Sequence, residues 1–142
     1  FYQATDGEIN PNLLMQLTWY YHKQCYLPVL RRFPNHELGF IKVSHRSRLH
    51  RHRFGFKEPK TGQRLFIHQI DMVCLPLVGF DKQGQRLGMG GGFYDRTLQN
   101  WQHYKMQPVG YAHDCQLVEK LPVEEWDIPL PAVVTPSKVW EW

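Results

Sequence analysis

Leu13, Leu14, Leu17, Tyr20 and Tyr21 fall at i, i+1, i+4, i+7 and i+8, a spacing that lines apolar side chains along one stripe of an α-helix. Asn10 offers an N-cap and Pro11 a first helical position, so a helix is predicted from there. Its stripe needs a sheet or another helix to cover it. Phe1–Thr5 is predicted as a short strand, Asp6-Gly7-Glu8-Ile9 as the turn after it, and Cys25–Leu30 as the strand that follows the helix. Strand, helix and strand within about 30 residues is the signal of a βαβ unit, with parallel strands and a right-handed crossover.

A further strand is predicted over Glu37–Val43. The run His45–Arg53 (HRSRLHRHR) holds four arginines and three histidines around one leucine, so it is solvated or faces a ligand. Asp71–Phe80 (DMVCLPLVGF) is nearly continuous apolar sequence, as in a central parallel strand buried on both faces. Thr97–Tyr104 reads as helix, and Pro108–Ala112 and Ala132–Thr135 as short strands. Alternating strands and helices place the chain in the α/β class.

Composition narrows the picture. A chain of 142 residues with 42% hydrophobic and 21% charged positions suits one domain with a sizeable core and argues against disorder. The longest apolar stretch, near Met72–Phe80, is interrupted by Pro76 and Gly79 and is too short to span a bilayer. Lys and Arg number 17 against 13 Asp and Glu, a net charge of +4, which favours anionic ligands without implying nucleic acid. Three widely spaced cysteines, Cys25, Cys74 and Cys115, make a poor disulfide framework or metal site, are expected to be small buried hydrophobes, and point to a reducing, cytoplasmic compartment. Residue 1 is Phe, without an initiator Met or a signal-peptide pattern. The chain is expected to lack its natural beginning.

Between the apolar run and the predicted helix lies Arg86-Leu87-Gly88-Met89-Gly90-Gly91-Gly92-Phe93-Tyr94-Asp95-Arg96. Ligands of open α/β sheets bind beyond the carboxyl ends of strands, where this turn is predicted to lie. Glycines at 88, 90, 91 and 92 remove Cβ atoms and permit positive φ, so successive backbone N–H groups can converge on an anion at the start of a helix near Phe93 or Tyr94. Phosphate is the natural guest, and a flexible loop is the alternative. The run is not the dinucleotide fingerprint, which would need glycine at Phe93, nor a Walker A loop, since no GK[ST] follows.

The segment Val78–Arg96 (VGFDKQGQRLGMGGGFYDR) resembles the signature of the 5-formyltetrahydrofolate cyclo-ligase (5,10-methenyltetrahydrofolate synthetase) family. Supporting matches occur at Asp6-Gly7-Glu8-Ile9, Leu27-Pro28-Val29, Glu58-Pro59, Pro108-Val109-Gly110-Tyr111 and Asp127–Thr135. The resemblance implies a three-layer α/β/α domain with a mostly parallel sheet. It also implies a single cyclo-ligase-like domain over residues 1–142, without the basic helix and first strand that open the family's fold and help hold ATP.

The resemblance further implies ATP- and Mg²⁺-dependent conversion of 5-formyltetrahydrofolate to 5,10-methenyltetrahydrofolate. Phosphorylation of the formyl oxygen makes it a leaving group, N10 attacks the activated carbon, and phosphate departs; such catalysis is mostly positioning and charge stabilisation. By the same resemblance Arg86, Leu87, Gly88, Met89, Gly90, Gly91, Gly92, Phe93 and Tyr94 wrap the ATP phosphates, with Arg86 the catalytic cation. Glu8 and Met89, Gly90, Gly91, Gly92 and Phe93 contact the folate, and Asp95 and Asp127 bind Mg²⁺. Read without the resemblance, Asp95 is a first-turn helix carboxylate, Asp127 a turn residue before Ile128-Pro129, and Glu8 a solvated turn acid. Two positions depart from the family pattern: Gly91 stands where some members carry Lys, and Phe93 where Tyr is commoner.

The alternative to an enzyme is a non-catalytic folate- or nucleotide-binding module. The expected partners are reduced folate and ATP, with no nucleic acid, no membrane and a monomeric state. The His45–Arg53 run is predicted as a solvated loop, with the anionic glutamate tail of a folate as its alternative ligand. Trp101, Trp126, Trp140 and Trp142 are expected to be packing or surface aromatics.

Overall fold

The computed structural model describes residues 1–5, 7–30, 37–52, 55 and 57–142; Asp6 of the predicted turn and Arg53 of the basic run lie outside them. Helix α1 spans Asn12–Tyr20. The helix begins one residue later than predicted, with Pro11 at the N-cap rather than Asn10, while the Asn10 carboxamide oxygen accepts the Asn12 N–H at 2.9 Å just before it.

The side of α1 that meets the sheet is not the predicted stripe. Met15 is buried and Trp19 half-buried against Cys25, Leu27, Val43 and Leu49, whereas Leu13, Leu14, Leu17, Tyr20 and Tyr21 are exposed. The tight return through His22, at φ 57, brings the Met15–Trp19 side onto the following strand. That leaves the longer apolar stripe facing outward.

Strand β1 (Cys25–Leu30) pairs antiparallel with β2 (Leu38–Val43). Phe1–Thr5 forms no ladder; its end is tied into a local turn in which Glu8 N–H donates to Thr5 O at 2.9 Å and Thr5 N–H donates to Glu8 Oε2 at 2.9 Å. The predicted βαβ unit is therefore replaced by a helix followed by an antiparallel pair. Register separates the two faces of that pair. Cys25 lies opposite Val43 and Leu27 opposite Ile41, while Leu30 lies opposite Leu38 and Pro28 opposite Phe40. The first face carries α1, and the second joins the main core with Leu75, Phe80, Leu98 and Val133.

The basic run enters a hairpin of β3 (Leu49–Arg51) and β4 (Lys57–Pro59), exposed over most of its charged side chains. Strand β5 (Arg64–Leu65) extends the first sheet beside β2. The apolar run divides into β6 (Met72–Leu75) and β7 (Gly79–Phe80), because Pro76 lacks the N–H a ladder requires. Strand β8 (Arg86–Leu87) pairs antiparallel with β7, and helix α2 spans Phe93–Leu98. The helix thus starts at Phe93, as predicted for the end of the glycine run, and ends sooner than the predicted Thr97–Tyr104, with only a 3₁₀ turn at Trp101–His103 beyond it. Strands β9 (Gln107–Tyr111) and β10 (Ala132–Val134) match the two predicted short strands.

The second sheet has the order β11-β10-β9-β6, where β11 (Val139–Glu141) is antiparallel to β10. The β6–β9 and β9–β10 pairings are parallel, and among the described residues all the other named strand pairs are antiparallel. β6 is accordingly an edge strand of its sheet rather than the predicted central one, and Met72 is exposed. The Thr97 hydroxyl donates to Phe93 O at 2.6 Å and accepts the Leu38 N–H at 2.8 Å, which fixes α2 against β2. No helix among the described residues is long and apolar enough to cross a membrane.

Candidate functional site

Asp81 opens the turn between β7 and β8 and is 1% exposed. One carboxylate oxygen accepts the N–H groups of Gln83 and Gln85 at 2.9 and 3.1 Å, and the other accepts that of Leu121 at 3.0 Å. A buried carboxylate with three backbone donors is a rigid pivot. Leu130 N–H also donates to Gly84 O at 2.9 Å. The turn thus ties β8 to the segment 121–130, and both contribute residues to the lining of a cavity of about 710 Å³.

Glu8, the whole run Arg86–Asp95, and Asp127 line this cavity. Residues predicted from three separate places in the sequence therefore converge. The Arg86 side chain is 4% exposed and paired through Nη2 with Asp95 Oδ1, while its Nε is buried without a hydrogen-bond partner. Gly90 and Gly92 take φ values of 77° and 62°, in the left-handed region that glycine enters without penalty. A Cβ at Gly90 would meet nothing within 4 Å, whereas one at Gly91 would lie 2.9 Å from the Phe93 ring and one at Gly92 2.6 Å from Arg96 Nη1, so the turn is open at Gly90. Arg96 is drawn away from it, with Nη2 donating to Gly91 O at 2.8 Å and the guanidinium over the Phe93 ring.

The two aspartates are held differently. Asp95 is engaged by Arg86, whereas Asp127 Oδ2 accepts the Glu124 N–H at 2.8 Å in a turn that Asp127 N–H closes on Glu124 O at 3.1 Å. Asp127 is thus both a turn residue and a cavity residue. No group of three or more His, Cys, Asp or Glu side chains converges as a metal cage among the described residues. Two carboxylates on an open cavity suit a hard cation that keeps water and phosphate ligands. The Glu8 carboxylate accepts the Thr5 N–H at 2.9 Å and faces the same space.

Several walls were not foreseen from the sequence: Tyr2, Gln3, Thr5, Lys57 and Trp126 also line the cavity. Tyr2 is buried and donates to Ile9 O at 2.5 Å. Burial first, then the nearby Cys74 and Glu8, push the phenols of Tyr2 and Tyr94 well above the usual tyrosine range. Both stay neutral at physiological pH. Nothing local to Tyr2, which follows Phe1, or to Lys57 marked either as a cavity residue. Of the cysteines, Cys25 and Cys74 are buried as expected, but Cys115 is exposed on a 3₁₀ turn that follows β9.

The 5-formyltetrahydrofolate cyclo-ligase family model matches residues 1–136. The chain belongs to the 5-formyltetrahydrofolate cyclo-ligase family. The 5-formyltetrahydrofolate cyclo-ligase of Escherichia coli K12 is 62% identical over 139 residues, covering 96% of this chain and 76% of that protein. The one from Haemophilus influenzae is 49% identical over 131 residues, covering 91% and 70%. Among solved structures, Aquifex aeolicus 5,10-methenyltetrahydrofolate synthetase superposes with a TM-score of 0.79 at 34% identity, over 99% of this chain and 69% of that one. Family membership establishes the α/β class of the fold and places the chain among folate-metabolising ligases.

Proposed function

We propose that this chain converts 5-formyltetrahydrofolate to 5,10-methenyltetrahydrofolate, consuming ATP and releasing ADP and phosphate. The observation that carries the reading is the convergence of Glu8, Arg86–Asp95 and Asp127 on one cavity. The γ-phosphoryl group passes from ATP to the formyl oxygen, breaking the bond to ADP. N10 then attacks the formyl carbon and gives up its proton as the C–O bond breaks and phosphate leaves.

In this reading the turn of Gly88, Gly90, Gly91 and Gly92, open at Gly90, receives phosphate together with Leu87 and Tyr94, and Arg86 supplies a fixed cation. Asp95 positions Arg86 through their ion pair. Met89 and Phe93, with the glycines between them, border the folate, and Glu8 accepts N–H donors from its ring. Asp95 and Asp127 would hold Mg²⁺, each with one carboxylate oxygen not committed to the hydrogen bonds described above. Bound there, Mg²⁺ would neutralise phosphate charge and orient the transferred group.

A three-layer arrangement, a monomeric state without nucleic-acid partners, a cytoplasmic location and the single-domain organisation belong to the same proposal. Helices α1 and α2 packed on opposite faces of the β1–β2 pair support the layering. The deciding experiment follows methenyltetrahydrofolate formation spectroscopically with purified chain, MgATP and 5-formyltetrahydrofolate. Product with stoichiometric phosphate release is expected. Tight binding of folate or nucleotide without turnover would instead establish the non-catalytic binding module.

A further inference from the structure

The chain has five tryptophans, and four of them are held by the fold. The Trp19 ring meets His45 edge-on at 5.0 Å. Trp101 and Trp140 pack against the main core, and the Trp142 indole N–H donates to Lys82 O at 2.5 Å. Trp126 differs: no ring contact or hydrogen bond engages its side chain among the described residues, and it is 68% exposed while lining the cavity. Leaving a large indole face in water forfeits the favourable burial that an aromatic side chain normally gains.

The backbone that carries Trp126 is anchored. Leu121 N–H is bound to the Asp81 carboxylate, Leu130 N–H to Gly84 O, and the turn between them is closed by the reciprocal Glu124–Asp127 hydrogen bonds. The indole is therefore presented to the cavity from a fixed support. Met89, also exposed, lines the same cavity, so a flat ligand would find an aromatic face and a polarisable thioether along it.

We propose that Trp126 is a stacking platform for the fused nitrogen heterocycle of one substrate, a substrate-binding residue for the reaction. The inference rests on the functional reading above. ATP and reduced folate both carry such a ring, as adenine and as pterin, and the experiment separates them. Stacking is indifferent to ring substituents but needs a flat π-face, so Phe should substitute for Trp and Ala should not.

Calorimetric titration of the parent, Trp126→Ala and Trp126→Phe with MgADP, and separately with 5-formyltetrahydrofolate, tests this without requiring turnover. Trp126→Ala should weaken one of the two by about 5- to 100-fold and leave the other nearly unchanged. Trp126→Phe should recover most of the loss, and in turnover assays the alanine variant should raise KM for that substrate more than it lowers kcat. Parent-like binding of both ligands by Trp126→Ala overturns the inference and leaves the functional reading standing, as does equal weakening of both ligands. Phenylalanine binding as poorly as alanine also overturns it. A parent that binds neither ligand refutes the functional reading and the platform together.

Discussion

Two turns flank β8 with similar glycine geometry and opposite surroundings. Gly84, at φ 81°, closes the β7–β8 turn, and a Cβ there would lie 2.7 Å from Leu130 O and 3.0 Å from the Trp142 ring. Gly90, at φ 77°, sits in the glycine run, and a Cβ there would meet nothing within 4 Å. Their aspartates repeat the contrast. Asp81 is buried and saturated by three backbone N–H groups, whereas Asp95 is partly open to the cavity and shared with Arg86. A positive φ in a packed turn serves the fold, and the same φ before an empty cavity leaves backbone available to a ligand.

The contrast breaks most visibly on the packed side. Gly84→Val combines a left-handed strain with a clash against a backbone carbonyl, and should cost roughly 3 kcal/mol or more. Asp81→Asn leaves at least one of three buried donors without an acceptor and should cost about 2–3 kcal/mol. Urea unfolding of both variants checks this, and kcat per folded molecule of Asp81→Asn should stay near the parent value. On the open side, Gly90→Val should cost only about 1–2 kcal/mol for the left-handed conformation. Its affinity for MgADP, by calorimetry, should fall more than about tenfold, since a branched side chain then stands where phosphate approaches. A Gly90→Val variant that loses stability like Gly84→Val but binds nucleotide normally would erase the distinction.

The same contrast explains what could be read from the sequence. Arg86–Asp95 was legible because its contributors are contiguous and glycine-dense, so local chemistry alone marked the turn. Strands such as Cys25–Leu30 (CYLPVL) and Ala132–Thr135 (AVVT) were legible as short apolar runs. The orientation of α1 was not, because Met15 and the exposed Leu13–Tyr21 stripe are equally apolar, and only tertiary packing selects between them. Antiparallel pairing of β1 with β2 likewise depends on which strand arrives beside it. The far cavity walls, Lys57 and Trp126, are brought in by long-range hydrogen bonds and by a hairpin, which no local period reveals.

The carboxylates sharpen the comparison within the cavity itself. Asp95→Asn removes the charge that compensates a 4% exposed Arg86 side chain, so it should lower stability by about 3 kcal/mol as well as weaken the Mg²⁺ dependence of turnover. Asp127→Asn retains an oxygen for the Glu124 N–H and should shift the Mg²⁺ titration with little change in unfolding midpoint. Asp95 is expected to be the more severe of the two. If both variants titrate Mg²⁺ like the parent, the carboxylates serve only the ion pair and the turn.

The smallest effect concerns the buried Cys74 thiol near Tyr2 and Tyr94. Burial pushes the Cys74 thiol up from 9.0 to about 11, so the folded state favours the neutral, protonated form. A group raised in this way stabilises the fold fully below pH 9, and that contribution is lost as pH rises toward 11, because the unfolded chain releases the proton first. Tyr2 and Tyr94 shift in the same direction and begin to contribute only near their ordinary value of 10. Between pH 9 and 10 the slope should therefore come mainly from buried thiols, and Cys74→Ala should flatten it in urea titrations while leaving the neutral-pH slope unchanged. Identical slopes for parent and variant in that window would mean that Cys74 stays accessible to hydroxide, and that the core around it is wetter than its burial implies.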